Sequence, residues 1–243
     1  DQAIALIRKR DPRPFFLNFW HYAVHIPIQS KPDEVARYQT KAQSMGLDKL
    51  RIFEEGEPFP TTHKQHLRVT RRLVQSDASY AAMVNNLDWN IGRLLQALDA
   101  EGLEDQTLVV FTSDNGGLST SEGSPTTNSP LAEGKGWMYE GGTRVPLIAR
   151  WPGIIPASKI NTAPVTSTDF YPTFLELAGL DPLPQQHCDG TSLAPLLKNS
   201  GEFKRAPLFW HYPHYGNQGG TPGSSIRSGD YKLIEFFEDN RLE

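Results

Sequence analysis

The clearest pattern of apolar and polar positions in the chain is helical and runs from Asp77 to Gly102. Apolar side chains recur there every three or four residues, with Asp, Asn and Arg between them, at Tyr80, Val84, Leu87, Ile91, Leu94, Leu95 and Leu98. This spacing places them on one face of an amphipathic helix. Asp77 is a favourable N-cap and Gly102 a favourable stop. Weaker patterns predict helices over residues 33–42 and 168–179.

Three short apolar runs predict strands, at residues 15–20, 108–112 and 145–149. The first is mostly apolar and aromatic, which suits a buried strand of a parallel sheet, and the second is also predicted to be a buried strand. Residues 55–63 contain Gly and Pro and are predicted to be a loop. Residues 118–136 are rich in Ser, Thr, Gly and Pro, and we expect a long loop of the kind reserved for function.

The pattern changes near residue 204. Short apolar-aromatic runs at 208–210, 225–227 and 231–234 are separated by turn residues and predict antiparallel strands. We therefore predict an α/β domain over residues 1–203 and a small antiparallel subdomain over residues 204–243. Helix, strand and Gly-rich turn follow one another in the first part, and in open α/β sheets ligands gather at the carboxyl ends of strands.

Both ends of the sequence lie in or near segments that are predicted to form secondary structure. Ile4, Leu6 and Ile7 form an apolar stripe that is typical of the end of a helix, and no Met or leader precedes it. Glu243 comes shortly after the apolar-aromatic stretch 231–237. We expect the chain to be a piece of a longer protein, whose targeting it cannot reveal.

Composition excludes several classes of function. The 24 Lys and Arg residues are balanced by 28 Asp and Glu residues, giving a formal net charge of −4, so no excess of basic residues argues for nucleic acid binding. No run approaches the roughly 18 apolar residues that a membrane span requires. A single cysteine, Cys188, excludes an internal disulfide framework and a multi-thiolate zinc site.

Asp114 and Asn115 directly follow a predicted strand and precede two glycines. Carboxylate and amide oxygens are the ligands that Ca²⁺ and Mg²⁺ prefer. The same residues also form good Asx turns, so a plain turn stays an alternative. Two ligands fall short of the six to eight oxygens that Ca²⁺ takes, so other ligands are required.

Other polar residues near predicted strand ends are candidates for acid–base work and anion binding. His21 and His25 follow the first predicted strand, and Lys135 stands between two glycines that expose its ammonium. Glu140 and Arg144 flank a Gly-Gly pair, where a structural salt bridge explains them equally well. Hydrogen-bonded loop histidines and a solvated lysine are the alternatives for the first three.

His211 and His214 stand among Trp and Tyr residues, an arrangement that suits a sugar or an aromatic ligand. An aromatic core with a hydrogen-bonded histidine is an equally good explanation. His63 and His66 lie in a polar segment and are predicted to be solvated.

Taken in order, these segments resemble the type I sulfatases of the alkaline-phosphatase superfamily. The matching segments are residues 18–27, 107–117, 134–146, 168–173, 189–193 and 226–234. The resemblance covers nearly the whole chain, and the ordered set is more specific than any one segment. It implies an α/β fold: an alkaline-phosphatase-like three-layer sandwich with a mixed central sheet, incomplete at its N-terminal end, followed by the start of the antiparallel subdomain.

The resemblance also implies roles for single residues. Asp114 and Asn115 would be two ligands of one divalent cation, usually Ca²⁺. Lys135 would bind the sulfate and the leaving oxygen, and His25 would protonate the departing alcohol or contact the sulfate. His21 has no fixed role in the family. The chemistry of these side chains is consistent with the implied roles, since cationic donors and a metal stabilise the charge that builds up in sulfate ester cleavage.

The family nucleophile is missing from this sequence. Type I sulfatases use a formylglycine made from the first residue of a Cys/Ser-x-Pro-x-Arg motif, and neither form occurs here; Cys188 is followed by Asp189-Gly190. There is also no Asp-Asp pair, which would complete the metal ligands. We therefore expect the chain by itself to have negligible activity and weak metal affinity.

The resemblance leaves three functions open. The first is a sulfatase that acts on a sulfated small molecule, for which we favour a saccharide contacted by His211 and His214. The second is a phosphodiesterase or phosphonate hydrolase of the same superfamily, and the third a non-catalytic paralogue that binds sulfated glycans. A periplasmic or secreted location is expected from the family alone.

Overall fold

The computed structural model of the chain describes residues 1–9, 11 and 13–243. Its α-helices are α1 (Gln2–Arg8), α2 (Pro32–Ser44), α3 (Ala78–Ala100), α4 (Glu140–Thr143), α5 (Phe170–Leu177) and α6 (Ala194–Leu197). Its strands are β1 (Phe53–Pro58), β2 (Arg68–Arg72), β3 (Val109–Thr112), β4 (Leu147–Arg150), β5 (Leu208–Tyr212), β6 (Gly223–Ser228) and β7 (Tyr231–Phe236). Short 3-10 helices span Leu47–Lys49, Thr62–Lys64, Glu104–Gln106 and Ser167–Asp169.

The described chain divides into two compact units, each built from several segments. Unit 1 comprises Asp1–Glu104, Ser113–Pro146 and His214–Pro222. Unit 2 comprises Asp105–Thr112, Leu147–Pro213 and Gly223–Glu243. The domain boundary predicted at residue 204 stays a prediction.

The long helix α3 of unit 1 confirms the helical pattern. The Asp77 carboxylate caps it by accepting a 2.9 Å hydrogen bond from the Tyr80 amide, and Gly102 ends it with φ 65°. Its buried residues are Ala82, Met83, Ala97 and Leu98. It contacts α1 and α2, and the second contact includes a 3.2 Å hydrogen bond from Tyr38 to the Asn85 amide oxygen. The helix predicted at 33–42 is α2.

The loop predicted over residues 55–63 is wrong in its first part, because β1 pairs there with β2 in an antiparallel hairpin. Arg71 and Glu57 pair at 2.8 Å on this hairpin. Gly56 favoured a loop in the prediction because glycine often ends a strand. In the structure, a Cβ at this position would lie 2.0 Å from an Arg71 guanidinium nitrogen. The glycine therefore makes room for a cross-strand side chain rather than ending the strand.

Unit 2 contains two antiparallel sheets, β3–β4 and β5–β6–β7, which confirm the strands predicted near residues 110, 147, 209, 226 and 233. The prediction that β3 is buried is wrong, since its residues are half-buried or exposed. β3 is covered less than expected because its partner in the described chain is β4 alone. The helix predicted at 168–179 is α5 with the 3-10 turn before it, and a capping box of Thr166 and Asp169 starts it.

The prediction that residues 15–20 form a buried strand is also wrong. The segment belongs to no strand, and the side chains of Phe16 and Trp20 are 74% and 85% exposed. Apolar character predicts burial only when a neighbouring strand supplies hydrogen bonds and a covering layer, and within the described residues no strand pairs with this segment. No helix in the part of the chain that the structure describes combines the length and apolar character needed to cross a bilayer.

Candidate functional site

His25 and Lys135 meet in unit 1. Lys135 Nζ lies 3.1 Å from His25 Nε2, and His25 Nδ1 lies 2.8 Å from the Ile26 carbonyl oxygen. A carbonyl oxygen only accepts, so Nδ1 carries the hydrogen and donates it. In the neutral imidazole Nε2 is then an acceptor, and the Lys135 ammonium donates to it. The two side chains thus form a pair in which a lysine proton points at a basic ring nitrogen.

Hydrogen bonds within the turn that carries His25 orient its ring. The His25 amide donates to the Tyr22 carbonyl at 3.0 Å, and the Tyr22 hydroxyl donates to the Ile26 carbonyl at 2.6 Å. The Ile26 carbonyl therefore receives hydrogen bonds from both Tyr22 and His25. Because the Tyr22 and His25 rings are also 5.7 Å apart, the imidazole has a fixed orientation although it is exposed.

Trp137 anchors the loop that carries Lys135. Its indole N–H donates to Thr120 Oγ1 and to the Gln218 carbonyl, each at 3.1 Å. Gly136 has φ 83°, a conformation that favours glycine, and a Cβ there would lie 2.6 Å from Gln218 Oε1. Lys135 is consequently presented from a loop that the segment His214–Pro222 packs against within unit 1.

Asp114 and Asn115 lie on the loop after β3. Asp114 is exposed and Asn115 is half-buried, and neither side chain is hydrogen-bonded within residues 1–9, 11 and 13–243. The Ser113 hydroxyl donates to the Asn115 carbonyl at 2.8 Å and holds the turn from inside. The three side-chain oxygens, two from Asp114 and one from Asn115, are therefore available to a cation and are not bonded in an Asx turn.

A divalent cation fits this pair by chemistry, since both donors are hard oxygens. In the described part of the chain no cluster of three His, Cys, Asp or Glu residues could hold a metal ion by itself. Asp114 and Asn115 would thus supply only part of a ligand set, and the cation site stays a proposal.

The Gly-Gly pair after Glu140 packs against the backbone of the loop that carries Asp114 and Asn115. The Gly116 amide donates to the Gly142 carbonyl at 3.0 Å, and a Cβ on Gly116 would lie 1.6 Å from the Gly141 carbonyl oxygen. Glu140 and Arg144 are 4.0 Å apart across one turn, and the Arg144 side chain is exposed. This contact supports the local turn, and a structural role for the two residues stays a prediction.

The remaining predicted histidines occupy different surroundings. His21 Nδ1 accepts a 3.2 Å hydrogen bond from the Ala23 amide, which explains it as part of the turn before His25. His214 is exposed and begins the unit 1 segment that packs on Gly136. His211 belongs to unit 2, where its Nδ1 lies 2.7 Å from the Ser224 hydroxyl. His63 and His66 are exposed, as predicted.

Sequence reasoning missed an ion-pair network beside Lys135. Arg71 Nε donates to Glu133 Oε1 at 2.8 Å, while the other guanidinium nitrogens donate to both oxygens of Glu57. The Arg71 hydrogen bonds lower the pKa of Glu57, and those bonds raise the pKa of Arg71. Burial raises the pKa of Glu133 more than Arg71 lowers it. Glu133 stands two residues before Lys135 in the sequence, but its partner Arg71 is 62 residues away, so no local pattern connects the two.

Asn128 was missed as well. Its side-chain amide contacts the backbone at Gly117, three residues after Asp114, and at Glu133, two residues before Lys135. An Asn in a loop rich in Ser, Thr and Pro carries no pattern that distinguishes it from a turn residue.

Comparison with known proteins identifies relatives over the whole chain. The family model described as Sulfatase matches residues 1–180, and the model described as N-sulphoglucosamine sulphohydrolase, C-terminal, matches residues 133–243. A curated sulfatase of Formosa agariphila is 36% identical over 254 residues, which cover 97% of this chain and 40% of that relative.

Two solved structures give the fold of the same region. Ps i-CgsB in complex with k-i-k-neocarrahexaose matches with a TM-score of 0.72 and 28% identity, over 100% of this chain and 46% of that one. BT4656 in complex with its substrate D-glucosamine-2-N,6-O-disulfate matches with a TM-score of 0.58 and 34% identity, over 68% of this chain and 33% of that one. The chain therefore has part of an alkaline-phosphatase-like α/β fold and spans less than half the length of these relatives.

Proposed function

Because the chain belongs to the sulfatase family, we propose that it is the part of a sulfuric ester hydrolase that binds the sulfate group and protonates the departing alcohol. The observation that carries the proposal is the 3.1 Å contact between Lys135 Nζ and His25 Nε2. A cation and an acid–base group at this separation suit an anion whose leaving oxygen requires a proton.

Lys135 supplies positive charge where the reaction builds negative charge. Cleavage breaks the bond between sulfur and the alcohol oxygen, and the bonding electrons move to that oxygen. The ammonium stabilises the developing charge because its loop is already held by Trp137 and needs no rearrangement.

His25 supplies the proton. Its Nδ1–H is engaged with the Ile26 carbonyl, so Nε2 is the ring position that gains or gives a proton. In the imidazolium form Nε2–H donates to the leaving oxygen, and after the transfer the alcohol departs and Nε2 is again an acceptor. Lys135 can then donate to Nε2, which is the arrangement in this structure.

The metal and the nucleophile are proposed from the family. Asp114 and Asn115 would hold one divalent cation, Ca²⁺ by the resemblance, which when bound would neutralise charge on the sulfate oxygens. The nucleophile would be a formylglycine supplied by sequence outside these 243 residues, since no Cys/Ser-x-Pro-x-Arg segment occurs within them.

We propose a sulfated saccharide as the substrate class. Support comes from two relatives whose bound ligands are a neocarrahexaose and a glucosamine disulfate. It also comes from the position of His214, whose segment packs on Gly136 next to Lys135 within unit 1. His21, which also belongs to unit 1, is proposed as a further contact. A periplasmic or secreted location is proposed on the family resemblance.

The test is sulfate release by the full-length gene product from an aryl sulfate and from sulfated monosaccharides and oligosaccharides. Lys135→Ala should lower kcat by about 10²–10³-fold, as expected for loss of a donor to the developing charge. Lys159→Ala removes an exposed lysine elsewhere and should leave kcat unchanged.

Three results would contradict the proposal. Equal turnover by Lys135→Ala and the unchanged protein would remove Lys135 from the reaction. Faster hydrolysis of phosphodiesters or phosphonates than of sulfate esters would favour the second function of the superfamily. Binding of sulfated saccharides without any turnover would favour the non-catalytic glycan binder.

A further inference from the structure

One side chain joins the loop of the candidate metal ligands to the loop of Lys135. Asn128 Oδ1 accepts a 3.0 Å hydrogen bond from the Gly117 amide, and Asn128 Nδ2 donates to the Gly117 carbonyl at 2.9 Å. Nδ2 also donates to the Glu133 carbonyl at 2.8 Å. Asn128 therefore contacts the backbone on both sides of the candidate site.

The three contacts use both donors of the carboxamide and one lone pair of its oxygen. The reversed amide orientation would place Oδ1 against two carbonyl oxygens, so the hydrogen-bond pattern selects the observed orientation. An aspartate offers no donors at this point, and a leucine offers neither donor nor acceptor. The pattern is specific to an asparagine of this length.

The two loops also touch each other directly. The Lys135 amide donates to the Gly117 carbonyl at 3.1 Å, the same oxygen that receives Asn128 Nδ2. A Cβ on Gly134 would lie 2.2 Å from that carbonyl oxygen and 2.6 Å from Asn128 Nδ2. Close backbone approach at Gly117 and Gly134 thus depends on glycine and on the asparagine that bridges them.

The position of Asn128 is itself determined by neighbouring contacts. Gln75 Oε1 accepts from the Thr126 hydroxyl at 2.7 Å and from the Thr127 amide at 3.0 Å. The Leu131 amide donates to the Asn128 carbonyl at 2.9 Å and closes the following turn. Asn128 is half-buried, so its hydrogen bonds are partly shielded from competing water.

We infer that Asn128 is a positioning residue of the proposed sulfatase site, and the inference rests on that proposed function. Its carboxamide holds Lys135 at a constant distance from the loop of Asp114 and Asn115. The sulfate-binding ammonium and the cation ligands then keep one geometry through the reaction. Displacement of a catalytic group by about 1 Å can cost roughly 100-fold in rate, which sets the scale of the effect.

The test uses the full-length gene product with Asn128→Asp and Asn128→Ala. The first variant keeps the shape and the acceptor for the Gly117 amide but replaces both donors, and the second removes all three contacts. Asn161→Asp is the matched control, because Asn161 is exposed and its oxygen can still accept from the Ala163 amide. If Asn128→Ala does not fold, the isosteric Asn128→Asp still provides the test.

Kinetics and amide exchange are measured on the same preparations. For both Asn128 variants we expect kcat per folded molecule to fall by about 10–100-fold, with a smaller change in KM, because charge on the leaving oxygen appears only in the transition state. We also expect faster hydrogen exchange in residues 114–117 and 132–137 than in the unchanged protein. A merely structural loss would lower the folded fraction and leave kcat per folded molecule unchanged.

The outcomes separate this inference from the proposed function. If the unchanged protein releases sulfate and the Asn128 variants keep kcat within about twofold, or exchange in the two loops is unaltered, the positioning role is wrong while the proposed function stands. If the unchanged protein cleaves no sulfate ester, the proposed function fails, and Asn128 is then a structural clamp without a catalytic consequence.

Discussion

Lys135 Nζ and His25 Nε2 lie 3.1 Å apart although 110 residues separate them in the sequence. The contact pairs a cation with the acceptor nitrogen of a ring whose other nitrogen is already donating to Ile26. This relationship brings two separate sequence candidates together as one pair, for which we propose anion binding and proton transfer, and the first prediction follows from it.

His25→Gln should slow the hydrolysis of sulfate esters in proportion to how much their alcohol needs a proton. On a saccharide sulfate, whose leaving group is poor, kcat should fall by about 10²–10⁴-fold. On 4-nitrophenyl sulfate, whose phenolate leaves without protonation, the loss should be much smaller. Rates of sulfate release from both substrates check this in the full-length gene product, with exposed His63→Gln as the control. Equal losses on the two substrates would show that His25 does not donate the proton.

Asp114→Asn should weaken the proposed cation site. The substitution keeps an oxygen donor but removes a negative charge, and charge count sets the affinity of oxygen sites for Ca²⁺. We expect the dissociation constant for Ca²⁺, measured by titration calorimetry on the full-length gene product, to rise by about tenfold or more. Asp88→Asn, on an exposed position of α3, is the matched control and should bind as the unchanged protein does. Identical isotherms for all three proteins would remove Asp114 from the ligand set.

Glu133 and Glu57 share the Arg71 guanidinium, but a rise in pH should change their contributions to folding stability in opposite directions. The pKa of Glu133 is raised in the folded state by burial, and its Oε2 is buried without a hydrogen-bond partner among the described residues. A raised pKa means that this carboxyl favours folding below its unfolded pKa and loses that contribution as the pH rises through its folded pKa. Glu133→Gln should therefore gain thermal stability relative to the unchanged protein as the pH rises from about 4 to 7, by about 1–3 °C.

Glu57→Gln is the opposite case and serves as the comparison. Hydrogen bonds from Arg71 lower the pKa of Glu57, so its contribution to stability is present above the unfolded pKa and is lost as the pH falls through the folded pKa. This variant should therefore lose stability relative to the unchanged protein as the pH rises towards the unfolded pKa of Glu57, about 4.3, with little further change above it. Thermal midpoints at several pH values measure both, and slopes of the same sign for the two variants would refute the assignment.

Gly116→Ala should destabilise the loop behind Asn115. The added Cβ would lie 1.6 Å from the Gly141 carbonyl oxygen, which backbone atoms cannot avoid without breaking the Gly116–Gly142 hydrogen bond. We expect a loss of about 1–3 kcal/mol in the free energy of unfolding, as for overpacked sites, together with lost activity. Gly92→Ala is the control: it lies within α3 with nothing within 4 Å of the added Cβ, and should stabilise by about 0.5–1 kcal/mol. Denaturant unfolding distinguishes the two; a neutral Gly116→Ala would mean that the loops can separate.

Local patterns predicted much of the architecture. The helix from Asp77 to Gly102 follows from an apolar repeat, a capping carboxylate and a terminating glycine, all of which act within a few residues. The antiparallel strands β5, β6 and β7 follow from short apolar runs between turn signals. The candidates His25, Lys135, Asp114 and Asn115 were also visible, because each stands beside a predicted strand end or between glycines.

Other features were decided by residues far away in the sequence. The run 15–20 is as apolar as a buried strand, yet it is exposed because no described strand pairs with it. β1 forms in spite of its Gly and Pro because β2 supplies hydrogen bonds and a guanidinium that fills the space above Gly56.

The sequence by itself therefore determined the periodic elements and the kinds of side chain available for chemistry. Only the tertiary structure decided that Lys135 meets His25 and that Arg71 pairs with Glu133. The physical reason is range: helix periodicity, capping and turn preference depend on neighbours a few residues apart. A hydrogen bond between distant segments depends on where the whole chain packs them.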